Sequence, residues 1–174
     1  MQDAIRDLLA LISGDDLEKA QDAIGNIALI LERSTFLSYN EDSYTALLPE
    51  RFCSITLSRK EQREIVDYLT NEIKKGHPSE GSLFWAISKA AVTGTESVPK
   101  LLKDHGERFD EATILQALFA YDKYIWALDG LLLEVKSEIQ ETNIRAFLQK
   151  MLLADDIRIP ELAQRLLENL EKYD

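Results

Sequence analysis

The stretch DEATILQALFAYDKYIWAL, residues 110–128, constrains the fold more than any other part of the chain. Placed on a helix, its apolar residues Ala112, Ile114, Leu115, Ala117, Leu118, Phe119, Ala120, Tyr121, Tyr124, Ile125, Trp126, Ala127 and Leu128 occupy too much of the circumference for a single buried stripe. A helix that is apolar nearly all round has to be covered on most sides, so this one is expected at the centre of a helical stack. Asp110 is placed to cap its free N–H groups, and Asp129-Gly130 supplies a stop. Its uncharged run, Ala112 to Tyr121, is too short to cross a bilayer.

The flanking sequence repeats the helical pattern. Helices are predicted over 3–12, 17–31, 44–57 (weak, interrupted by Pro49), 59–75, 79–92, 97–105, 131–139, 142–153 and 159–173, from apolar spacing and cap chemistry. Asp15 or Asp16 caps the second. Ser58-Arg59-Lys60-Glu61 fits a capping box, and Pro99 and Pro160 sit in first turns, where a missing N–H costs nothing. Ser54 to Leu57 is the one candidate strand, and it is short. The chain reads as all-α, a single domain over residues 1–174. Its 45% hydrophobic content suffices for a core without staples.

Ile5, Phe52, Val98 and Ile144 each stand early in a helix that precedes a second, at separations of 47, 46 and 46 residues. Ile24, Leu118 and Ala163 follow three of them at offsets of 19, 20 and 19. The intervening turns are acidic: Asp15-Asp16, Asp110-Glu111 and Asp155-Asp156. On AIRDLLALISGDDLEKAQDAIGNI, VPKLLKDHGERFDEATILQAL and IRAFLQKMLLADDIRIPELAQRLLENL, the chain resembles the HEAT and armadillo class of helical repeat, whose units run to about 40–47 residues. The unit at 52–75 fits poorly, with Ser58-Arg59-Lys60 in place of the acidic turn. The resemblance implies a short α-α superhelix of about eight to ten helices, with 79–92 and 131–139 as third helices or insertions. It also implies a rigid surface that holds a protein or peptide. The alternative is an irregular helical bundle.

Chemistry is sparse. His77 lies in a Gly-His-Pro turn, expected exposed, and His105 at a helix end. Neither belongs to a metal-binding helix motif. Cys53 is a lone thiol, read as a small packing residue, and implies a reducing compartment; with no export signal at the start of the chain, a cytoplasmic location is expected. Glu61 and the paired aspartates have capping duties. No catalytic, cofactor or metal site is assigned.

The net charge of −11 argues against nucleic acid, whose phosphates need clustered Lys and Arg. Residues 1–50 carry 3 basic and 10 acidic side chains, whereas 51–75 carry 6 basic and 4 acidic. The function expected is a non-enzymatic protein-binding module, with a basic partner drawn in by charge, in the manner of a small immunity-type neutralising protein. The residues proposed to touch the partner are Phe36, Tyr39 and Tyr44 of RSTFLSYNEDSY, read as a loop or short turn of helix, and Arg59, Lys60 and Arg63 of the basic stretch. Trp85, Phe119, Tyr121, Tyr124 and Trp126 are assigned to packing. Two alternatives stay open: an enzyme or enzyme-accessory repeat, such as the lyases that attach cofactors to partner proteins, built around His77, His105 or Cys53; and a structural homo-oligomer.

Overall fold

The computed structural model describes residues 2–38, 48–90, 96–128 and 144–171, the side chains of 36–38 and 126–128 excepted. Within them the chain is all-α. The helices are α1 (Asp3–Ile12), α2 (Leu17–Ser38), α3 (Arg59–Lys75), α4 (Glu80–Ser88), α5 (Ser97–His105), α6 (Glu111–Leu128), α7 (Arg145–Met151) and α8 (Arg158–Glu171), with short 3-10 turns at Glu50–Phe52 and Gly106–Arg108. No strand occurs among the described residues. The predicted helix over 131–139 and the Asp129-Gly130 stop lie outside the described residues.

The caps form as their chemistry requires. Asp16 Oδ1 accepts from the Lys19 N–H at 3.2 Å, Asp110 Oδ1 from that of Thr113 at 2.8 Å, and Asp156 Oδ1 from that of Arg158 at 3.1 Å. Ser58 and Glu61 close a reciprocal capping box at the start of α3. Gly76 ends α3 at φ 83°, with its own N–H on the Ile73 carbonyl and the His77 N–H on that of Glu72. This is the Schellman arrangement, which needs a left-handed residue that glycine adopts without steric cost.

The second helix of each pair packs on the next: α2 on α4, α4 on α6, and α6 on α8. Two bonds at each of two junctions fix the direction. Gln21 Nε2 donates to Ser82 Oγ at 2.7 Å near the N-terminal ends of α2 and α4, and Lys89 Nζ pairs with Glu32 Oε1 at 2.7 Å near their C-terminal ends. Between α6 and α8 the same is done by Glu111, which accepts from the Asp155 N–H at 3.0 Å, and by the Asp122–Arg165 pair at 2.6 Å. These helices therefore run parallel, and each is returned by a first helix. The first helices are tied in turn: Tyr68 of α3 donates to the Leu9 carbonyl of α1 at 2.7 Å, and Thr70 meets Ser97 of α5 at 3.1 Å. A continuous core runs through both sets, from Ile5 and Ile24 through Leu83, Phe84 and Leu118 to Leu166.

Several expectations are corrected. Residues 33–38, read as the start of a loop or short turn of helix, continue α2. Arg33 donates to the Ile55 carbonyl, and the buried Ser34 hydroxyl accepts from the Leu57 N–H at 3.1 Å. The incoming segment thus satisfies this end of the helix, through contacts more than 20 residues apart that no local pattern reveals. The same bonds occupy Ser54 to Leu57, which is neither strand nor helix. Phe52, placed by sequence in the weak helix over 44–57, is buried in the 3-10 turn Glu50–Phe52 ahead of α3. Helix α4 ends at Ser88, short of the predicted 92, and packs between α2 and α6. It shares the central position with α6.

His77 is half-buried rather than exposed. Its Nδ1 accepts from the Ser79 N–H at 3.0 Å, which leaves Nε2 to donate to the Ile12 carbonyl at 2.9 Å. Arg108 works nearby, pairing with Glu80 at the start of α4 and donating to the Ile73 carbonyl at the end of α3.

Two predictions follow from the caps. Gly76→Ala forces a side chain into the left-handed region and costs about 1–2 kcal/mol, read by urea unfolding; a loss below ~0.3 kcal/mol would contradict the assigned geometry. Asp156 is lowered to about 2, first by its side-chain bonds to Arg158, and Asp110, Asp16 and Glu61 are lowered by their bonds to Thr113, Lys19 and Ser58. Carboxylates depressed in the folded state contribute stability that is complete above their ordinary values near 4 and is lost as pH falls toward 2. Circular dichroism melts should therefore decline over that window, and Asp110→Asn should flatten part of the decline.

Candidate functional site

The parallel second helices present a common outer face. On α2 it comprises Gln21, Gly25, Leu29 and Glu32; on α4, Ser82, Trp85 and Lys89; on α6, Ala112, Gln116, Phe119 and Lys123, all at helical intervals. The cross-links already described put Gln21 beside Ser82 and Glu32 beside Lys89, so these stripes lie side by side. A shallow cleft of about 320 Å³ opens between α4 and α6, lined by Gly81, Ser82, Trp85, Ala112, Thr113 and Gln116. A Cβ on Gly81 would meet Thr113 Oγ1 at 3.6 Å, an ordinary van der Waals contact, so α4 and α6 pack directly against each other there.

Trp85 and Phe119 retain 37% and 41% of their accessible surface, which corrects their assignment to packing. Their spacing is helical, but it falls on the side of α4 and α6 that no other described helix covers. Tyr121 and Tyr124 are buried, as expected; the Trp126 side chain lies outside the described residues. Lys89 Nζ stands 5.2 Å from the Trp85 ring centre, a cation–π geometry.

Lys89, Glu32 and Lys123 form a charged end to this face, with one more positive group than negative among the described residues. Lys123 is pushed below the ordinary lysine range, first by partial burial and then by the charge of Lys89, with Glu32 opposing.

The residues proposed from sequence lie elsewhere or outside the described set. Tyr39 and Tyr44 fall outside it, as does the side chain of Phe36, whose backbone lies in the last turn of α2. Arg59, Lys60 and Arg63 lie on the first turns of α3; Arg63 is paired with Glu96, and Lys60 approaches Glu64 at 3.9 Å. Cys53 is half-buried with Sγ turned to the Leu48 and Pro49 carbonyls, and His77 is held by Ile12 and Ser79. His105 is the last residue of α5. Among the described residues no group of three or more His, Cys, Asp or Glu is placed to hold a metal ion, and no helix is long and apolar enough to cross a membrane.

Compared with known protein families, curated proteins and solved structures, the chain matches none.

The charged end makes a signed prediction. Lys89→Gln should raise the titration midpoint of Lys123 and Glu32→Gln should lower it further, followed by NMR of labelled lysine side chains. Unchanged midpoints in both variants would separate Lys123 from this cluster.

Proposed function

We propose that this chain is a non-enzymatic protein-binding module, a short acidic helical-repeat scaffold whose partner lies along the α2–α4–α6 face. The observation that carries the reading is the exposure of Trp85 and Phe119 beside a cleft on that face. Large aromatic side chains left partly in water cost hydrophobic free energy and are the side chains that most often anchor interfaces. The order of packing supports the repeat: the described residues form four helix pairs with parallel second helices in sequence, as a HEAT- or armadillo-like stack does, and such a stack builds extended surfaces rather than closed pockets. The net charge of −11 adds long-range attraction for a basic partner, which speeds encounter more than it strengthens the final complex.

The reading is tested with tagged full-length protein and extract of the source organism. A stoichiometric protein should be retained by the wild type, and Trp85→Ala should weaken its binding by about 30-fold, the size of a hot-spot loss, with the helical circular dichroism signal unchanged. Association with that partner should slow as salt rises. Retention that ignores both Trp85→Ala and Phe119→Ala would remove this face from the function, and an empty eluate at all salt concentrations would remove the partner.

A further inference from the structure

Building on that reading, we infer that the α2–α4–α6 face recognises an extended protein segment carrying a large apolar side chain, which enters the cleft beside Trp85, followed three residues later by an Asp or Glu, which meets Lys89 and Lys123.

Three observations converge on this occupant. The first is shape. The cleft floor is made of Gly81, Ser82, Ala112 and Thr113, all small, with Trp85 at its side; a volume of about 320 Å³ admits one large side chain rather than a helix. Ser82, Thr113 and Gln116 offer hydroxyl and amide groups to the backbone of a chain laid across it.

The second is charge. In a chain of net −11, most of the surface repels carboxylates. At the C-terminal end of this face, among the described residues, two lysines stand against one glutamate, and Lys123 is already disfavoured in its charged form by burial and by Lys89. A carboxylate placed there would offset the repulsion between the lysines. Seven residues separate Ser82 from Lys89, which at a rise of 1.5 Å per residue is roughly 10 Å, and an extended segment covers that distance in about three residues. Steering acts on the charge of the whole partner and docking on this segment, so a basic protein with a locally acidic segment meets both demands.

The third is Gly25. It sits inside α2, where glycine is less favourable than alanine, yet among the described residues a Cβ added there would meet nothing within 4 Å. That open surface leaves room for a chain lying against α2.

The probe is a phage library of random twelve-residue peptides selected on the immobilised full-length protein, with fluorescein-labelled copies of enriched peptides measured by anisotropy. Wild type should enrich peptides with Phe, Trp, Leu or Met three positions before Asp or Glu. Replacing that acid by Gln, or introducing Lys123→Glu, should weaken binding at least tenfold, and Lys123→Arg should retain it. Gly25→Gln should weaken the same peptides while leaving or raising the melting temperature, so that lost binding is not mistaken for unfolding. Peptides that need Trp85 but carry no acid at this spacing would overturn the inference and leave the protein-binding reading intact. No enrichment at all would also overturn it, and the pull-down with Trp85→Ala then decides that reading independently.

Discussion

The structure depends on the burial of α4 between α2 and α6. This short helix has apolar residues on nearly every side: Leu83, Phe84, Ala86 and Ile87 are fully buried. Such a helix is not stable alone, because nine residues form too few internal bonds to offset nucleation. It must be held by neighbours, and the neighbours are then fixed. Gly81 lies against Thr113 of α6, Gln21 ties α2 to Ser82, and Glu32 ties α2 to Lys89. Once α2, α4 and α6 are parallel, the returning helices α3 and α5 have one side left to occupy.

The same arrangement divides labour between the ends of the helices. N-terminal ends carry the caps Asp16, Asp110 and Asp156, each accepting from the backbone and favourably placed against the helix dipole. The C-terminal ends of α2, α4 and α6 bring Glu32, Lys89 and Lys123 together. Between them lies a surface with two exposed aromatics and a floor of small residues. The acidic turns are thus largely structural.

Arg108 and His77 show how single polar side chains lock the first helices to this row. Arg108 spans from Ile73 to Glu80 with its guanidinium 4.7 Å from the Phe109 ring centre. His77 joins the end of α1 to the start of α4. Each satisfies carbonyls or N–H groups at helix ends, which would otherwise be costly to bury.

Much of this was legible in the sequence, for local reasons. Periodicity located α1, α3, α5 and α6 to within a residue or so, because the apolar stripe of a helix is written in the order of its own residues. Capping likewise involves groups three or four residues apart, so Ser58, Asp110 and the paired aspartates announced themselves. The extension of α2 through Ser38 did not, since its support comes from Ile55 and Leu57. Nor did the exposure of Trp85 and Phe119: an aromatic at core spacing reads as core, and only the absence of a described helix over that side of α4 and α6 decides otherwise. Sequence by itself determined the helices, their caps and the all-α class; tertiary structure alone decided which faces remain open, because exposure belongs to pairs of elements and not to the pattern of either one.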